Sequence, residues 1–231
     1  MRAVEDRMWW YRGLHGNLLA LLDQHLDGPG PLLDAGCGTG GLLRLLGPHL
    51  PDRTVIGLDR DAQAVRLAAA GPAAVCLGSV GRLPLADASL AAIVSADLLY
   101  HQAVEEAPAL AEFRRCLRPG GVLLLNLPAY RWLRSSHDRA VHGARRYTAT
   151  GLRRLLAGAG FRVAFCRYWN CLLFPLMVLR RKLLPGAASD VGLFPAPVEA
   201  LFRGVMRIET ALIRRGMGFP FGGSVLAVAR A

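Results

Sequence analysis

Lysine is nearly missing from this chain of 231 residues: Lys182 stands alone among 28 basic side chains, so the positive charge is almost all arginine. No tyrosine sits four residues before it, so the Y-x-x-x-K pair of many short-chain reductases cannot form. The five cysteines (37, 76, 116, 166 and 171) are odd in number and none lies in a C-x-x-C pair. That spacing argues against a disulfide framework or a zinc quartet and for reduced thiols on apolar segments. Long apolar runs are absent too. The longest, 169–179, falls short of the ~20 residues that a membrane-spanning helix needs. Glu5 and Asp6 interrupt the start of the chain, which does not read as a signal peptide. No nucleophile-elbow serine and no phosphate-transfer lysine offers a hydrolase or kinase chemistry.

What is present is an apolar chain with polarised charge. Hydrophobic residues make up 53%, enough for one domain with a substantial core, and exclude a disordered chain. Residues 1–110 carry 8 basic and 12 acidic side chains, a net of −4, whereas 111–231 carry 20 and 5, a net of +15, together the formal +11. A basic half of this kind suits an anionic small molecule, a membrane surface or nucleic acid. Nucleic acid is the weakest of these, since no basic run interleaved with aromatics forms a reading module.

The stretch 32–40, Leu-Leu-Asp-Ala-Gly-Cys-Gly-Thr-Gly, organises the rest. A short apolar strand closes on Asp34, three glycines alternate with small residues, and a leucine-rich helical pattern follows. Glycines allow a tight turn and close backbone approach, and a helix start presents free N–H groups, which together suit a nucleotide. Gly36, Gly38 and Gly41 also satisfy G-x-G-x-x-G, so a dinucleotide-dependent reductase is one reading. Asp34 favours another, because a carboxylate there repels a pyrophosphate but pairs with a cationic amine. Asp59 ends a second strand roughly twenty residues past the glycines, where an acid can accept bonds from both ribose hydroxyls.

D-x-G-x-G-x-G after an apolar strand resembles motif I of the class I S-adenosylmethionine-dependent methyltransferases, of the bacterial small-molecule kind. Further segments carry the same resemblance: Gly78-Ser79-Val80-Gly81-Arg82-Leu83-Pro84, Asp97-Leu98-Leu99-Tyr100-His101, and Leu117-Arg118-Pro119-Gly120-Gly121. The chain departs from the family pattern at Ser79, commonly an aspartate facing the adenine, and at Tyr100, commonly a glutamate. These departures keep a third reading, a cofactor-binding protein without catalysis, in play. The resemblance implies S-adenosylmethionine as cofactor, S-adenosylhomocysteine as product, and a cofactor site of Trp10, Tyr11, Arg12, Asp34, Gly36, Cys37, Gly38, Gly40, Asp59, Arg60, Ser79, Val80, Asp97 and Leu98.

Alternating strands and helices predict an α/β fold with a doubly wound, mostly parallel sheet. The resemblance implies a Rossmann-like seven-stranded order 3-2-1-4-5-7-6, the last strand antiparallel. One domain, 1–231, would comprise an N-terminal cap helix (1–27), a core sheet (32–168 and 222–231), an acceptor loop insertion (128–147) and a helical lid insertion (169–221). The acceptor loop follows the carboxyl end of a strand, where open sheets bind ligands. It supplies His137 or His142 as a general base, with His101 and Tyr147 as further catalytic candidates. Tyr130, Asp138, Arg145 and Arg146 are expected on the substrate, the two arginines holding an anion. His137, Asp138 and His142 are poorly spaced for a metal on one helix face, so none is expected.

The second insertion holds an apolar segment, 171–179, followed by Arg180, Arg181 and Lys182, and then a helix over 197–215 that places Val198, Leu201, Phe202, Val205 and Leu212 on one apolar face. Three readings stay open there: a lid over a lipophilic acceptor, a helix on anionic lipid, and extra core or a homodimer face. The expected activity is methyl transfer to an O or N atom of a small, lipophilic, anionic acceptor, in a cytoplasmic protein with peripheral contact to the inner membrane face as an option.

Overall fold

The computed structural model describes residues 7–135, 138, 142–183 and 194–231. Helix α1 (Trp9–His25) precedes β1 (Leu32–Ala35), α2 (Leu43–His49), β2 (Val55–Asp59), α3 (Ala62–Ala68), β3 (Ala74–Leu77) and β4 (Leu90–Ala96). Then come α4 (Glu106–Cys116), β5 (Leu117–Pro128), a 3-10 turn (Arg131–Leu133), α5 (Ala149–Gly158), β6 (Arg162–Trp169), α6 (Phe174–Leu183), α7 (Ala196–Ile213) and β7 (Ser224–Arg230). The strands form one sheet in the order β3-β2-β1-β4-β5-β7-β6, as the resemblance implied. Strand β7 runs antiparallel between β5 and β6, with Leu124 opposite Val228 and Cys166 opposite Ala227.

Both faces of this sheet are covered, so its central strands are apolar throughout instead of alternating. Leu33, Ile93, Leu123 and Leu125 face one layer with Phe113 of α4 and Leu152 of α5. Leu32, Val94 and Leu124 face the other, with Leu18 and Leu21 of α1 and Leu46 of α2. Thr148 caps α5, its hydroxyl accepting the Gly151 N–H at 3.0 Å. Asp61 caps α3, accepting from Gln63 and Ala64, which leaves Asp59 to other partners.

Helix α7 departs from the expected face. Its buried residues are Glu199, Phe202, Met206, Glu209 and Ile213, while Leu201 is 65% exposed. The stripe is turned by about one residue because two glutamates belong to it. Glu209 accepts the N–H groups of Asn170 at 2.6 Å and Leu172 at 2.7 Å, just ahead of α6. Glu199 accepts the Trp9 N–H at 3.0 Å, at the start of α1, and the Phe194 N–H at 3.1 Å. These donors have no partner inside their own helices, and a carboxylate satisfies them. Met206 rests on Gly13, and Thr210 donates its hydroxyl to Asn17 Oδ1 at 2.7 Å, so α7 lies directly on α1. The apolar segment around 171–179 and α7 are thereby joined to the N-terminal helix. Among the described residues no helix is long and apolar enough to cross a membrane.

Replacing Glu209 by alanine orphans two buried N–H groups, each worth about 1–3 kcal/mol. We expect Glu209→Ala to lower unfolding stability by at least ~2 kcal/mol in urea titration. A change within error would mean that the carboxylate does not anchor α6.

Candidate functional site

The carboxyl ends of β1, β2 and β4 meet where the strand order reverses, the usual crevice of open α/β sheets. There the three loop glycines take positive φ, each for its own reason: +83° at Gly36, +52° at Gly38 and +82° at Gly40. A Cβ on Gly36 would strike Leu98 at 2.9 Å, and one on Gly40 would crowd Ala68 at 3.1 Å. At Gly38 a Cβ would meet nothing within 4 Å, so this backbone faces open space. The carboxylate of Asp59 is held from two sides. Its Oδ2 accepts the Gly38 N–H at 2.8 Å and its Oδ1 the Asp61 N–H at 2.9 Å. Asp34 is buried in the strand just below.

Two cavities open from this loop. The larger, about 810 Å³, runs from Asp34, Gly38 and Asp59 past Asp97 to Phe202 and Arg180. The smaller, about 370 Å³, shares Gly36, Asp59, Arg60 and Leu98 and adds Leu58, Ser79 and Val80. Trp10, Tyr11, Asp34, Gly36, Cys37, Gly38, Asp59, Arg60, Asp97 and Leu98 line the larger one. Ser79 and Val80 line the smaller, where the Ser79 hydroxyl accepts the Gly81 N–H at 3.3 Å. Burial and the neighbouring Asp34 and Asp59 carboxylates push the Cys37 thiol up, so it stays protonated. Two residues fall elsewhere. Gly40 lines neither cavity and serves packing. Arg12 is exposed on α1 and outside both cavities; His15, one turn on and buried, lines the larger one in its stead.

The expected acceptor residues divide more sharply. His101, His142, Asp138 and Arg146 line the larger cavity, whereas His137 lies outside the described residues. Arg146 is not a free anion clamp. Its guanidinium makes two bonds to Asp138, Nε–Oδ1 at 2.8 Å and Nη2–Oδ2 at 3.0 Å, and donates to the Ala129 carbonyl at 2.8 Å. Both side chains are buried. Burial opposes ionisation of Asp138, but the Arg146 bonds outweigh it and hold its carboxyl below the usual range. Arg145 faces the other way, donating to the carbonyls of Leu99, His101 and Val104. Tyr147 is buried in the core, its hydroxyl donating to Glu106 at 2.7 Å, and burial raises its pKa well beyond reach of acid–base work. Tyr130 stacks on Tyr168 with ring centres 5.0 Å apart and is not part of either cavity lining. Arg145, Tyr147 and Tyr130 are therefore braces of the loop, because its backbone is stitched to Tyr100 and Pro128 and turns them inward.

Asp97 has the most unusual surroundings in the cavity. It follows directly on β4 with φ of +49°, a conformation that is uncommon for a residue other than glycine. Asn126 of β5 donates to its Oδ2 at 3.1 Å, and the Asn126 carbonyl oxygen accepts the indole N–H of Trp169 at 2.7 Å. The indole N–H can only donate, so this chain fixes the orientation of the Asn126 amide and hence the carboxyl. Burial pushes Asp97 up to about 7, with Asn126 and the Arg146 charge pulling it back. Sequence reasoning placed Arg180 after the apolar segment of the second insertion but missed His15, Asn170, Ser224 and Asn126. None of these four stands in a motif, and packing alone brings the first three to the cavity and Asn126 against Asp97.

Two outcomes follow. Removing one partner of a buried pair strands the other charge at about 3–5 kcal/mol, so Arg146→Leu should destabilise by that amount and Arg146→Leu/Asp138→Leu by less. Equal losses in thermal or urea melts would show that the pair is not coupled. For Asp97 the folded pKa lies above the unfolded one, near 3.9, so its contribution to stability is present below pH 4 and lost as pH rises through about 7. Asp97→Asn should flatten the stability curve between pH 4 and 7; an unchanged slope would place its pKa in the ordinary range.

Comparison with known proteins places this arrangement. Residues 33–125 match the family model described as a methyltransferase domain. A Mycolicibacterium smegmatis protein named a probable S-adenosylmethionine-dependent methyltransferase is 35% identical over 136 residues, 57% of this chain and 52% of that one. A Micromonospora griseorubida protein assigned provisionally to 23S rRNA guanine-N1 methylation is 41% identical over 115 residues, 48% of this chain and 36% of that one. The malonyl-[acyl-carrier protein] O-methyltransferase of Dechloromonas aromatica is 41% identical over 97 residues, 42% of this chain and 36% of that one. The chain thus spans about half or less of the length of these relatives. In structure, the methyltransferase in complex with the Haloferax volcanii Trm112 activator superposes with a TM-score of 0.67 at 22% identity, covering 100% of this chain and 92% of that one. That likeness concerns the fold. The strand order and the matched domain agree: residues 33–125 carry a methyltransferase domain, set in a sheet of the order that the class I S-adenosylmethionine-dependent methyltransferases share.

Proposed function

We propose that this protein transfers the methyl group of S-adenosylmethionine to an O or N atom of a small acceptor with an apolar body and an anionic group. One observation carries the reading: a single cavity joins the glycine loop to apolar side chains among which Arg180 and Arg181 also line the space. The residues at the loop fit the cofactor. Gly38 presents open backbone, Asp59 offers a held carboxylate for the vicinal ribose hydroxyls, Asp34 a carboxylate for the ammonium, and the smaller cavity an apolar slot for the base. When bound there, the cofactor supplies an electrophilic methyl on a sulfonium, opened by in-line displacement. The protein's part is alignment, desolvation and, for a hydroxyl or amine acceptor, removal of one proton.

At the acceptor end Trp9, Leu173, Met177, Phe194 and Phe202 form the apolar wall. Arg180 lines the same space with its guanidinium 5.4 Å from the Phe194 ring centre, a position suited to a carboxylate or phosphate. It takes the role that the sequence assigned to Arg145 and Arg146. Asp97 is the proton acceptor, with His101 and His142 on the same wall as its alternates. The carboxylate-bearing acceptor in the name of the Dechloromonas relative supports an anionic substrate; the ribosomal relative supports RNA, for which the basic half of the chain also speaks.

Calorimetry should detect S-adenosylmethionine and S-adenosylhomocysteine but not NADPH, and Asp59→Ala should lose about 2–3 kcal/mol of that binding. Undiminished affinity in the variant would remove the assignment. A radiolabelled methyl screen of small-molecule and RNA fractions then identifies the acceptor. With it, Arg180→Ala should raise KM at little change in kcat, and Asp97→Asn should abolish the fall in rate as pH drops through about 7. Methyl transfer to RNA alone would overturn the small-acceptor reading.

A further inference from the structure

Helix α6 has two working faces. At 100° per residue, Leu173, Met177 and Arg180 share the side that lines the larger cavity. Leu172, Leu176 and Leu179 fall on the adjoining side, at spacings of four and three, and point outward. Leu176 belongs to both, so the outward stripe begins at the lip of the cavity. Across the helix, Phe174 touches Trp132 at 6.1 Å and Phe221 at 5.7 Å between ring centres. These five outward side chains, three leucines with Trp132 and Phe221, are each between 44% and 54% exposed. Single exposed apolar residues are ordinary on a protein surface, but a leucine stripe that starts at the rim of a cavity, with two exposed aromatics beside the same helix, marks an interaction site.

The charge around the stripe selects the partner. Lys182, the chain's only lysine, sits over the Trp132 ring at 5.9 Å, and Arg131 flanks that tryptophan in the 3-10 turn. Between Asp138 and Asp190 the sequence contains ten basic residues and no acidic one. A leucine stripe bordered by an exposed indole and by long cationic side chains, with no carboxylate near in sequence, suits the interfacial zone of an anionic bilayer.

We propose that the outward face of α6, with Trp132 and Phe221, docks on anionic lipid and sets the mouth of the cavity against the membrane. Ten helical residues bury too little to bind a neutral bilayer firmly, so the attraction depends on the basic side chains and is reversible and salt-sensitive. The same placement lets a lipophilic acceptor move from the bilayer past Leu176 into the chamber without crossing water.

Flotation of the full chain with phosphatidylcholine vesicles, with and without phosphatidylglycerol, at low and high salt, tests this directly and needs no knowledge of the acceptor. Recovery with the anionic vesicles at low salt, lost at high salt and absent with neutral ones, is the expected result. Lys182→Glu should weaken it by at least about fivefold. Leu172→Asp/Leu179→Asp should abolish it while leaving the melting temperature and S-adenosylhomocysteine affinity unchanged, since neither leucine lines a cavity. Failure to float with anionic vesicles would overturn the proposal, as would equal binding by the variants. So would a dimer in sedimentation velocity that the two aspartates dissolve, because the face would then belong to a second copy. None of these results bears on whether the cofactor binds, so this proposal and the methyl-transfer reading fail separately.

Discussion

Two carboxylates on one helix tie α1, α6 and α7 together. Glu199 satisfies the start of α1 and Glu209 the chain entering α6, and both are buried against the elements that they cap. In a low-dielectric interior a bond from a carboxylate to a backbone N–H is strong, and the same group without donors is very unfavourable. Burial accordingly raises the pKa of Glu209, and the backbone donors oppose that rise. Helix α7 cannot slide along α1 without breaking one set of bonds or the other. The apolar wall that it builds around the cavity is therefore anchored by polar contacts.

The two ends of the cavity are made differently. The cofactor end is built from strand termini and one glycine loop, all on the central strands of the sheet. The other end, where we place the acceptor, is built from the segments after β5 and β6, folded back by a buried Arg146–Asp138 pair and by α7. Asp97 stands at the junction, fixed by Asn126 and, through it, Trp169. A carboxyl that burial pushes up to about 7 between the two parts of the cavity suits the proton removal proposed above. The family relation concerns the cofactor end, since the matched domain stops at residue 125, before either insertion. The other end lies outside that match, and its shape depends on the chain's own packing.

Much was readable without coordinates, and for a local reason. A strand, a glycine turn and a helix start within a dozen residues carry their own geometry. The same holds for the apolar runs of β1, β4 and β5. Asp34, the glycine loop and Asp59 could thus be brought to one end of the sheet on sequence grounds, and the strand order followed from the resemblance. Charge misled where burial decided. Arg145 and Arg146 looked like an anion clamp because arginine is usually solvated or on a ligand. Carbonyls of the post-β4 segment take the first and Asp138 the second. Leu201 likewise looked internal on α7 because an apolar stripe counts leucine and not glutamate, yet the glutamates are inside.

By itself, then, the sequence determined the α/β class, the nucleotide-cradling loop, the acid beyond β2, and a chain whose basic charge gathers in its second half. Those properties depend on residues adjacent in the chain or on periodicity along it. Only the tertiary structure decided that α7 caps α1 and α6, that Arg146 is paired with Asp138 while Arg180 lies beside Phe194 in the cavity lining, and that Asp97 is desolvated at the cavity wall. Each of those depends on partners 8 to 190 residues away. Burial and charge pairing at such separations arise only when the chain is packed, and no local pattern encodes them.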